Sequence, residues 1–316
     1  MPESPVAYHP QAQTIIDMLN SATNEPPSDT AERVAGARAG YGGWYGMNGP
    51  GPEISEVRDI QMLRDEGPPI PARVYKPTEN DDAPIVVFFH GGGMVVGSVE
   101  VFDGVCRQLA DASSAVVVSV EYRLAPEDPY PAASDDAWDA LWWVSEHAAD
   151  LGGSADKLIV FGDSAGGNLA ALCALRARDT GVPALRLQML VYPVTDWAGT
   201  FPSMEENGTG NFLTKETMQW FRANYLGNDE ALWTDPTVSP VYADVAEVCP
   251  AWIITASHDP LRDEGIAYAE KLRDAGVEVA HTNVEGIFHA FFGQTNLFEL
   301  AATALNDAAK AIRAVS

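Results

Sequence analysis

Cysteine is scarce in this sequence. Cys106, Cys173 and Cys249 are the only three among 316 residues, and they lie far apart. An odd number of isolated thiols without a Cys-x-x-Cys pair argues against a disulfide framework and against the usual zinc-binding motifs. We therefore expect three core thiols and no metal site.

Basic residues are also few. The chain has 19 Lys and Arg against 45 Asp and Glu, which gives a formal net charge of -26. Such a field repels polyanions, so nucleic acid is excluded as a partner. The acidic excess is interpreted as an ordinary solvated surface, with salt tolerance or the steering of a cationic substrate as alternatives.

Long apolar runs are absent. No stretch approaches the roughly 20 apolar residues that span a bilayer. The first residues, MPESPVAYHPQAQT, contain neither the basic nor the apolar region of a signal peptide. We expect a soluble, cytoplasmic protein with no membrane span.

What the sequence does contain is a series of short apolar runs that alternate with helical patterns. Runs buried on both sides are typical of a mostly parallel sheet flanked by helices, which places the chain in the α/β class. The predicted strands are 85–89, 115–120, 157–162, 187–193, 251–257 and 277–284, and the predicted helices include 135–150, 261–276 and 296–315. Within the first helix, Trp138, Trp142 and Trp143 are expected in the core.

Two segments interrupt this alternation. Residues 1–50 contain a short helical pattern followed by a stretch rich in Gly, Tyr and Trp, and residues 197–232 contain a polar loop followed by a helical pattern. They are predicted to form a cap made of an amino-terminal segment and an insertion. The catalytic domain then has two parts, 51–196 and 233–316.

The segment FGDSAGGN points to a nucleophile. Ser164 lies between a predicted strand and a predicted helix, with Gly162 and Gly166 two residues away on either side. This Gly-x-Ser-x-Gly pattern is that of a nucleophile elbow, because a sharp turn leaves no room for flanking side chains. Ser164 is therefore the candidate nucleophile, held in a strained conformation at the carboxyl edge of the sheet.

A second glycine cluster follows an earlier strand, in HGGG at 90–93. An acyl-transfer enzyme needs N–H donors for the tetrahedral oxyanion, and in such sheets one comes from this loop and one from the residue after the serine. The candidate donors are Gly91, Gly92 and Ala165. The alternative is a merely flexible turn. His90 is expected to fix the loop by hydrogen bonding.

Activation of a serine requires a base, which is usually a histidine oriented by a carboxylate. Among six histidines, His289 in EGIFHAFF follows the last predicted strand within a loop and is the candidate base. The other positions are less suited to this role. They lie in the tail, the glycine loop, a helix, beside the acid candidate and inside the last strand: His9, His90, His147, His258 and His281.

The candidate acid is Asp259 in SHDPLRDEG, which follows a predicted strand and can reach the histidine loop after the next one. Asp196, after the preceding strand, is the alternative. Asp263 and Glu264 are expected to favour the first turn of the following helix electrostatically. The chain order Ser164, Asp259, His289 is that of α/β-hydrolases.

Taken together, HGGGM, VEYRLAPEDPYPAASDDAW, GDSAGGNLA, DPLRDEG and GIFHAF resemble the bacterial hormone-sensitive-lipase family of carboxylesterases. The resemblance runs from about residue 70 to 292. It implies an α/β-hydrolase fold with a helical cap and a small-molecule ester as substrate, of short to medium chain length. It also implies catalysis without metal or cofactor, a possible homodimer through the edge of the last strand, and buried, noncatalytic roles for Arg123 and Glu127.

Residues in the cap and the catalytic loop are candidates for an apolar substrate pocket. Ordinary core packing is the alternative for each of them. One of them, Met94, stands where the family often has an aromatic residue after the glycines. The candidates are Tyr41, Trp44, Tyr45, Met94, Phe212, Ile287 and Phe288.

Three other functions are compatible with parts of this pattern. An amidase, deacetylase or peptidase would share the same catalytic residues. A noncatalytic ligand-binding homologue would be expected to lack one of them, and all three are present. A purely structural protein would have no reason to keep a strained serine, oxyanion glycines and a histidine together.

Overall fold

The computed structural model describes residues 6–21, 30–64, 66–78, 80 and 82–315. Parts of the expected amino-terminal segment, residues 1–5 and 22–29, lie outside this range. The described strands form one eight-stranded sheet in the order β1-β2-β4-β3-β5-β6-β7-β8. Their bounds are β1 Glu56–Met62, β2 Ile70–Lys76, β3 Pro84–Phe89, β4 Val116–Val120, β5 Ser154–Asp163, β6 Leu187–Val191, β7 Ala251–His258 and β8 Val279–Phe288.

The predicted α/β class is confirmed. All strand pairs from β4 to β8 in the sheet order are parallel, and β2 joins β4 antiparallel, as β1 joins β2. The six predicted strands correspond to β3 through β8. The sequence did not predict β1 and β2. The β1 segment EVRDIQM is half exposed and charged, so it lacks the continuous apolar character of a strand covered on both faces.

Helices cover both faces of the sheet. Strand β3 shows how the core divides, because Ile85, Val87 and Phe89 belong to one apolar cluster and Val86 and Phe88 to the other. The described α-helices are α1 Pro10–Ser21, α2 Thr30–Gly46, α3 Asp103–Ser113, α4 Ala132–His147, α5 Ala165–Thr180, α6 Ser203–Glu206, α7 Lys215–Tyr225, α8 Glu230–Trp233, α9 Arg262–Asp274 and α10 Glu299–Arg313. Helices α4, α5 and α9 contribute to the first cluster, and α1, α3 and α10 contribute to the second.

Two helical segments, α1–α2 and α6–α8, contact each other. The Arg33 guanidinium lies 3.4 Å from the Glu216 carboxylate and 5.0 Å from the centre of the Trp220 ring. Asn20 Nδ2 donates to Gly210 O at 3.2 Å. These contacts bring the amino-terminal segment and the insertion together, although the exact domain boundaries stay predictions. None of the described helices is both long and apolar enough to cross a bilayer.

The expected tryptophan core is only partly found. Trp138 is buried in α4, whereas Trp142 on the same helix is 37% exposed. The prediction was therefore wrong for Trp142. Its position, four residues after Trp138, places it at the solvent margin of the apolar face of the helix.

Candidate active site

The turn between β5 and α5 holds Ser164 in a strained backbone conformation, with φ 54° and ψ -118°. The flanking glycines are sterically required. A Cβ on Gly162 would lie 2.0 Å from Gly166 O, and one on Gly166 would lie 1.9 Å from Phe89 O. The Ser164 N–H donates to Val191 O on the neighbouring strand at 2.8 Å. The sequence pattern thus folds into the elbow that it predicts.

Three side chains from separate loops form a hydrogen-bonded series at the carboxyl edge of the sheet. Ser164 Oγ lies 2.9 Å from His289 Nε2, and His289 Nδ1 lies 2.6 Å from Asp259 Oδ2. Asp259 Oδ1 accepts the N–H of Leu261 at 2.8 Å, which fixes the carboxylate. All three side chains are buried. Because the carboxylate only accepts, Nδ1 carries the proton and Nε2 is free to accept from the serine.

The alternative acid lies elsewhere. The Asp196 carboxylate accepts hydrogen bonds from the N–H groups of Ala198 and Thr200 and from the hydroxyl of Tyr242. It therefore stabilises its own loop. Glu264 was predicted to stabilise the first turn of α9 electrostatically. Its buried carboxylate instead accepts the N–H groups of residues 195 and 196.

The glycine loop corrects one expected donor. The Gly91 N–H already donates to Asp163 Oδ1 at 2.7 Å, so it is not free for an oxyanion. Gly92 and Gly93 line the same cavity as Ser164. Within the described residues, no acceptor takes the N–H of either one. The sequence missed Gly93, whose φ of +60° and close approach to Phe221 leave no space for a Cβ.

Buried polar groups hold this loop from behind. His90 Nδ1 donates to Gly91 O at 2.8 Å, and the Tyr122 hydroxyl donates to His90 O at 2.7 Å. Burial lowers the pKa of His90 to about 4, so the imidazole is neutral near pH 7. Burial raises the pKa of Asp163 to about 7, against the opposing effect of the Gly91 hydrogen bond. His90 thus fixes the loop, as the sequence predicted.

An apolar cavity of about 240 Å³ opens above the serine. Its walls come from α2, the glycine loop and α7 with the loop before it. The lining residues are Ala37, Gly40, Tyr41, Gly92, Gly93, Val96, Ser164, Phe212, Leu213, Thr217, Trp220, Phe221 and His289. A larger cavity, of about 440 Å³, lies between α4 and α5 and is lined by neither Ser164 nor His289.

Only two of the seven expected pocket residues, Tyr41 and Phe212, are in this wall. The other five pack in the core: Trp44, Tyr45, Met94, Ile287 and Phe288. Trp44 is an example of this core packing. The centre of its ring lies 4.8 Å from the centre of the Phe212 ring, and its Nε1 donates to Ala290 O. The sequence analysis missed Leu213, in the loop before α7, and Thr217, Trp220 and Phe221 on α7; the signal was the spacing of Thr217, Trp220 and Phe221 on one side of a helix.

The segment YRLAPE departs from the implied burial at both residues. Arg123 pairs with the buried Asp136, with 2.7 Å between Nη2 and Oδ1, but its own side chain is 35% exposed. The side chain of Glu127 is 56% exposed and accepts two hydrogen bonds from Arg38 of α2. The expected burial was therefore wrong for Arg123 and for Glu127, whose partner comes from the amino-terminal segment at the surface.

Comparison with known proteins agrees with this geometry. A family model described as alpha/beta hydrolase fold matches residues 86–293. The chain is 42% identical over 270 residues to esterase LipI of Mycobacterium tuberculosis, covering 84% of each chain. It is 43% identical over 248 residues to carboxylesterase NlhH of the same species, covering 77% of this chain and 78% of the relative.

Solved structures point the same way. The fold is similar to that of a hyperthermophilic esterase from the archaeon Pyrobaculum calidifontis, with a TM-score of 0.91 and 38% identity over 98% of this chain and 100% of the other. A thermostable esterase from Pseudomonas putida matches with a TM-score of 0.90 and 33% identity, over 99% and 98% of the two chains. The chain therefore belongs to the hormone-sensitive-lipase family of α/β-hydrolases and is a carboxylic ester hydrolase.

Proposed function

We propose that the enzyme cleaves esters through an acyl-enzyme formed on Ser164. His289 takes the serine proton during attack on the ester carbonyl, while Asp259 keeps the imidazole oriented and stabilises its cation. His289 then gives the proton to the leaving alcohol. Water repeats the sequence, releases the acid and restores the serine. The observation that carries this proposal is the unbroken series of hydrogen bonds from Ser164 Oγ through His289 to Asp259.

The oxyanion donors in this proposal are the N–H groups of Gly92, Gly93 and Ala165. Gly92 and Gly93 face the cavity beside the serine. Ala165 begins α5, where the first N–H groups have no acceptor within the helix. The loss of one such donor typically costs about 2.7–4 kcal/mol of transition-state stabilisation.

The cavity supports a preference for short to medium acyl chains. Its volume of about 240 Å³ is below the range of roughly 300–1,000 Å³ of sites for drug-sized ligands. Apart from His289 and Ser164, the lining residues with a polar side-chain group are Tyr41, Thr217 and Trp220, and none of the lining residues is Asp, Glu, Lys or Arg. We infer that uncharged esters with small acyl groups fit this cavity best.

The location in the cytoplasm and the formation of a homodimer stay predictions.

The test is hydrolysis of a p-nitrophenyl ester series, from acetyl to dodecanoyl, by the wild type beside Ser164→Ala. We expect turnover of the short esters, a decline towards the long ones, and loss of activity on the order of 10⁶-fold in the variant. Equal activity in the variant would overturn the role of Ser164. A preference for dodecanoyl would overturn the chain-length proposal, and cleavage of the matching anilides alone would favour an amidase.

A further inference from the structure

The loop that carries the proposed oxyanion donors is held by its own carbonyl groups. Gly92 O accepts the N–H groups of Val95 and Val96 at 3.0 and 2.9 Å, which closes a tight turn. Within that turn Met94 has φ +62°, a conformation that a side chain disfavours. Met94 O accepts the N–H of Ala125 at 2.8 Å. A strained turn of this kind persists only when surrounding contacts hold it.

One of those contacts comes from helix α2. Arg38 Nε donates to Val95 O at 3.0 Å, and Arg38 Nη2 donates to Ala125 O at 3.3 Å. The same guanidinium also binds Glu127 through Nη1 and Nη2, at 2.8 and 2.7 Å. Arg38 thus binds both the glycine loop, through Val95 O, and the YRLAPE segment, through Ala125 O.

The ion pair alone does not account for this arrangement. The Arg38 and Glu127 side chains are 35% and 56% exposed, and pairs with such exposure contribute little to stability. The contacts that reach the loop are instead the hydrogen bonds from Nε and Nη2 to the carbonyls of residues 95 and 125, which the planar guanidinium makes beside the pair. The neighbouring residues Ala37 and Tyr41 of α2 line the cavity. Docking of α2 and the geometry of the loop are therefore coupled.

We propose that Arg38 is a positioning residue for ester hydrolysis, which holds the loop so that Gly92 and Gly93 present their N–H groups to the oxyanion. The inference rests on the proposed function, because it concerns the same oxyanion. Since the negative charge on the carbonyl oxygen forms only as the serine attacks and is absent from the bound ester, loss of the Arg38 contacts lowers kcat and leaves KM nearly unchanged.

The experiment compares Arg38→Met with Glu127→Gln and the wild type. Arg38→Met keeps an apolar stem and removes all the donors, while Glu127→Gln removes the ion pair and leaves Arg38 able to donate to the loop. Kinetics with p-nitrophenyl butyrate are measured well below the melting temperature of each variant. Arg58→Ala, at a surface pair with Glu56, serves as the control for loss of an exposed arginine.

A second measurement reports on the loop without turnover. Phenylboronic acid adds to Ser164 Oγ as the serine proton passes to His289, so that a tetrahedral, negatively charged boron stands in for the oxyanion intermediate. Its affinity is measured by the change in intrinsic fluorescence. We expect Arg38→Met to lose about 10- to 100-fold in kcat and a similar factor in boronate affinity, with KM within about twofold. Glu127→Gln and Arg58→Ala are expected to remain within about threefold of the wild type.

Two results would overturn the inference while leaving the proposed function in place. One is an Arg38→Met variant that melts earlier but keeps wild-type kcat and boronate affinity, which would mean that Arg38 serves stability alone. The other is an equal loss of kcat in Glu127→Gln, which would assign the effect to the ion pair. Absence of ester hydrolysis by the wild type would instead contradict the proposed function. If Arg38→Met does not fold, Arg38→Lys is measured, with a smaller loss of kcat at unchanged KM expected and an unchanged kcat contradicting the inference.

Discussion

At the scale of single residues, the least predictable feature of the site is Asp163. The sequence shows it only as the residue before the nucleophile. The structure places its buried carboxylate against the Gly91 N–H, with the Tyr45 hydroxyl 3.5 Å from Oδ2. That hydrogen bond removes Gly91 from the oxyanion donors and directs the next two glycines towards the cavity. A spacing rule cannot choose among three adjacent glycines, because the choice depends on this long-range contact.

Asp163 should make stability depend on pH. Burial raises its pKa in the folded protein to about 7, against an ordinary aspartate value of about 4. Between these values the folded state binds a proton that the unfolded state does not, so the free energy of unfolding falls as pH rises from about 4 to about 7. Asp163→Asn cannot titrate. We expect its melting temperature, relative to the wild type, to increase between pH 4.5 and 7.5.

The control for this prediction is Asp111→Asn, which changes an exposed carboxylate on α3. Its melting temperature relative to the wild type should show no comparable trend. A constant difference between Asp163→Asn and the wild type across the same pH range would mean that Asp163 does not titrate there.

At the scale of helices and strands, the sequence predicted the catalytic side of the molecule better than the substrate side. Ser164 and Asp259 each follow a strand whose continuous apolar run is visible in the sequence, and His289 follows the predicted last strand. Parallel strands end at one edge of the sheet, so their order along the chain already brings these residues together. The wall formed by α2 and α7 depends instead on how two distant segments dock. No local pattern separates Tyr41, which lines the cavity, from Tyr45, which is in the core.

Helix α7 should limit acyl chain length through Phe221. This ring lines the cavity and lies so close to Gly93 that a Cβ there would be 2.2 Å from it. Phe221→Ala lengthens the cavity, and burial of further methylenes contributes about 0.8 kcal/mol each. We expect the ratio of kcat/KM for p-nitrophenyl octanoate to that for butyrate to rise about tenfold.

The ratio of the two kcat/KM values is the quantity to measure, because a disturbed glycine loop would lower kcat/KM for octanoate and for butyrate together. Tyr225→Phe is the matched control, since it changes a buried aromatic residue on the same helix that does not line the cavity. An unchanged ratio in Phe221→Ala would show that another wall sets the chain length.

At the scale of the whole molecule, the net charge of -26 is the dominant electrostatic feature. Self-repulsion of this size opposes compact folding. Salt screens it, because the Debye length falls from about 10 Å at 0.1 M to about 3 Å at 1 M. We expect the melting temperature at pH 8 to rise as sodium chloride increases from about 0.05 to 0.5 M, since this range shortens the screening length severalfold.

The same salt series near pH 5 provides the control, because the sequence pI is about 4.3 and the net charge is much smaller there. The stabilisation by salt should shrink accordingly. A salt effect of equal size at both pH values would show that repulsion between acidic side chains is not its cause.

Catalysis as proposed requires Ser164 to be the nucleophile that receives the acyl group. The most direct measurement is covalent labelling by a p-nitrophenyl phosphonate ester, which transfers its phosphorus to an activated serine and releases p-nitrophenol. We expect a stoichiometric release of p-nitrophenol by the wild type, with the phosphonyl group found by mass spectrometry on the peptide that contains Ser164. The Ser164→Ala variant should remain unlabelled. A phosphonyl group on any other residue, or equal labelling of the variant, would contradict the role of Ser164 as the nucleophile.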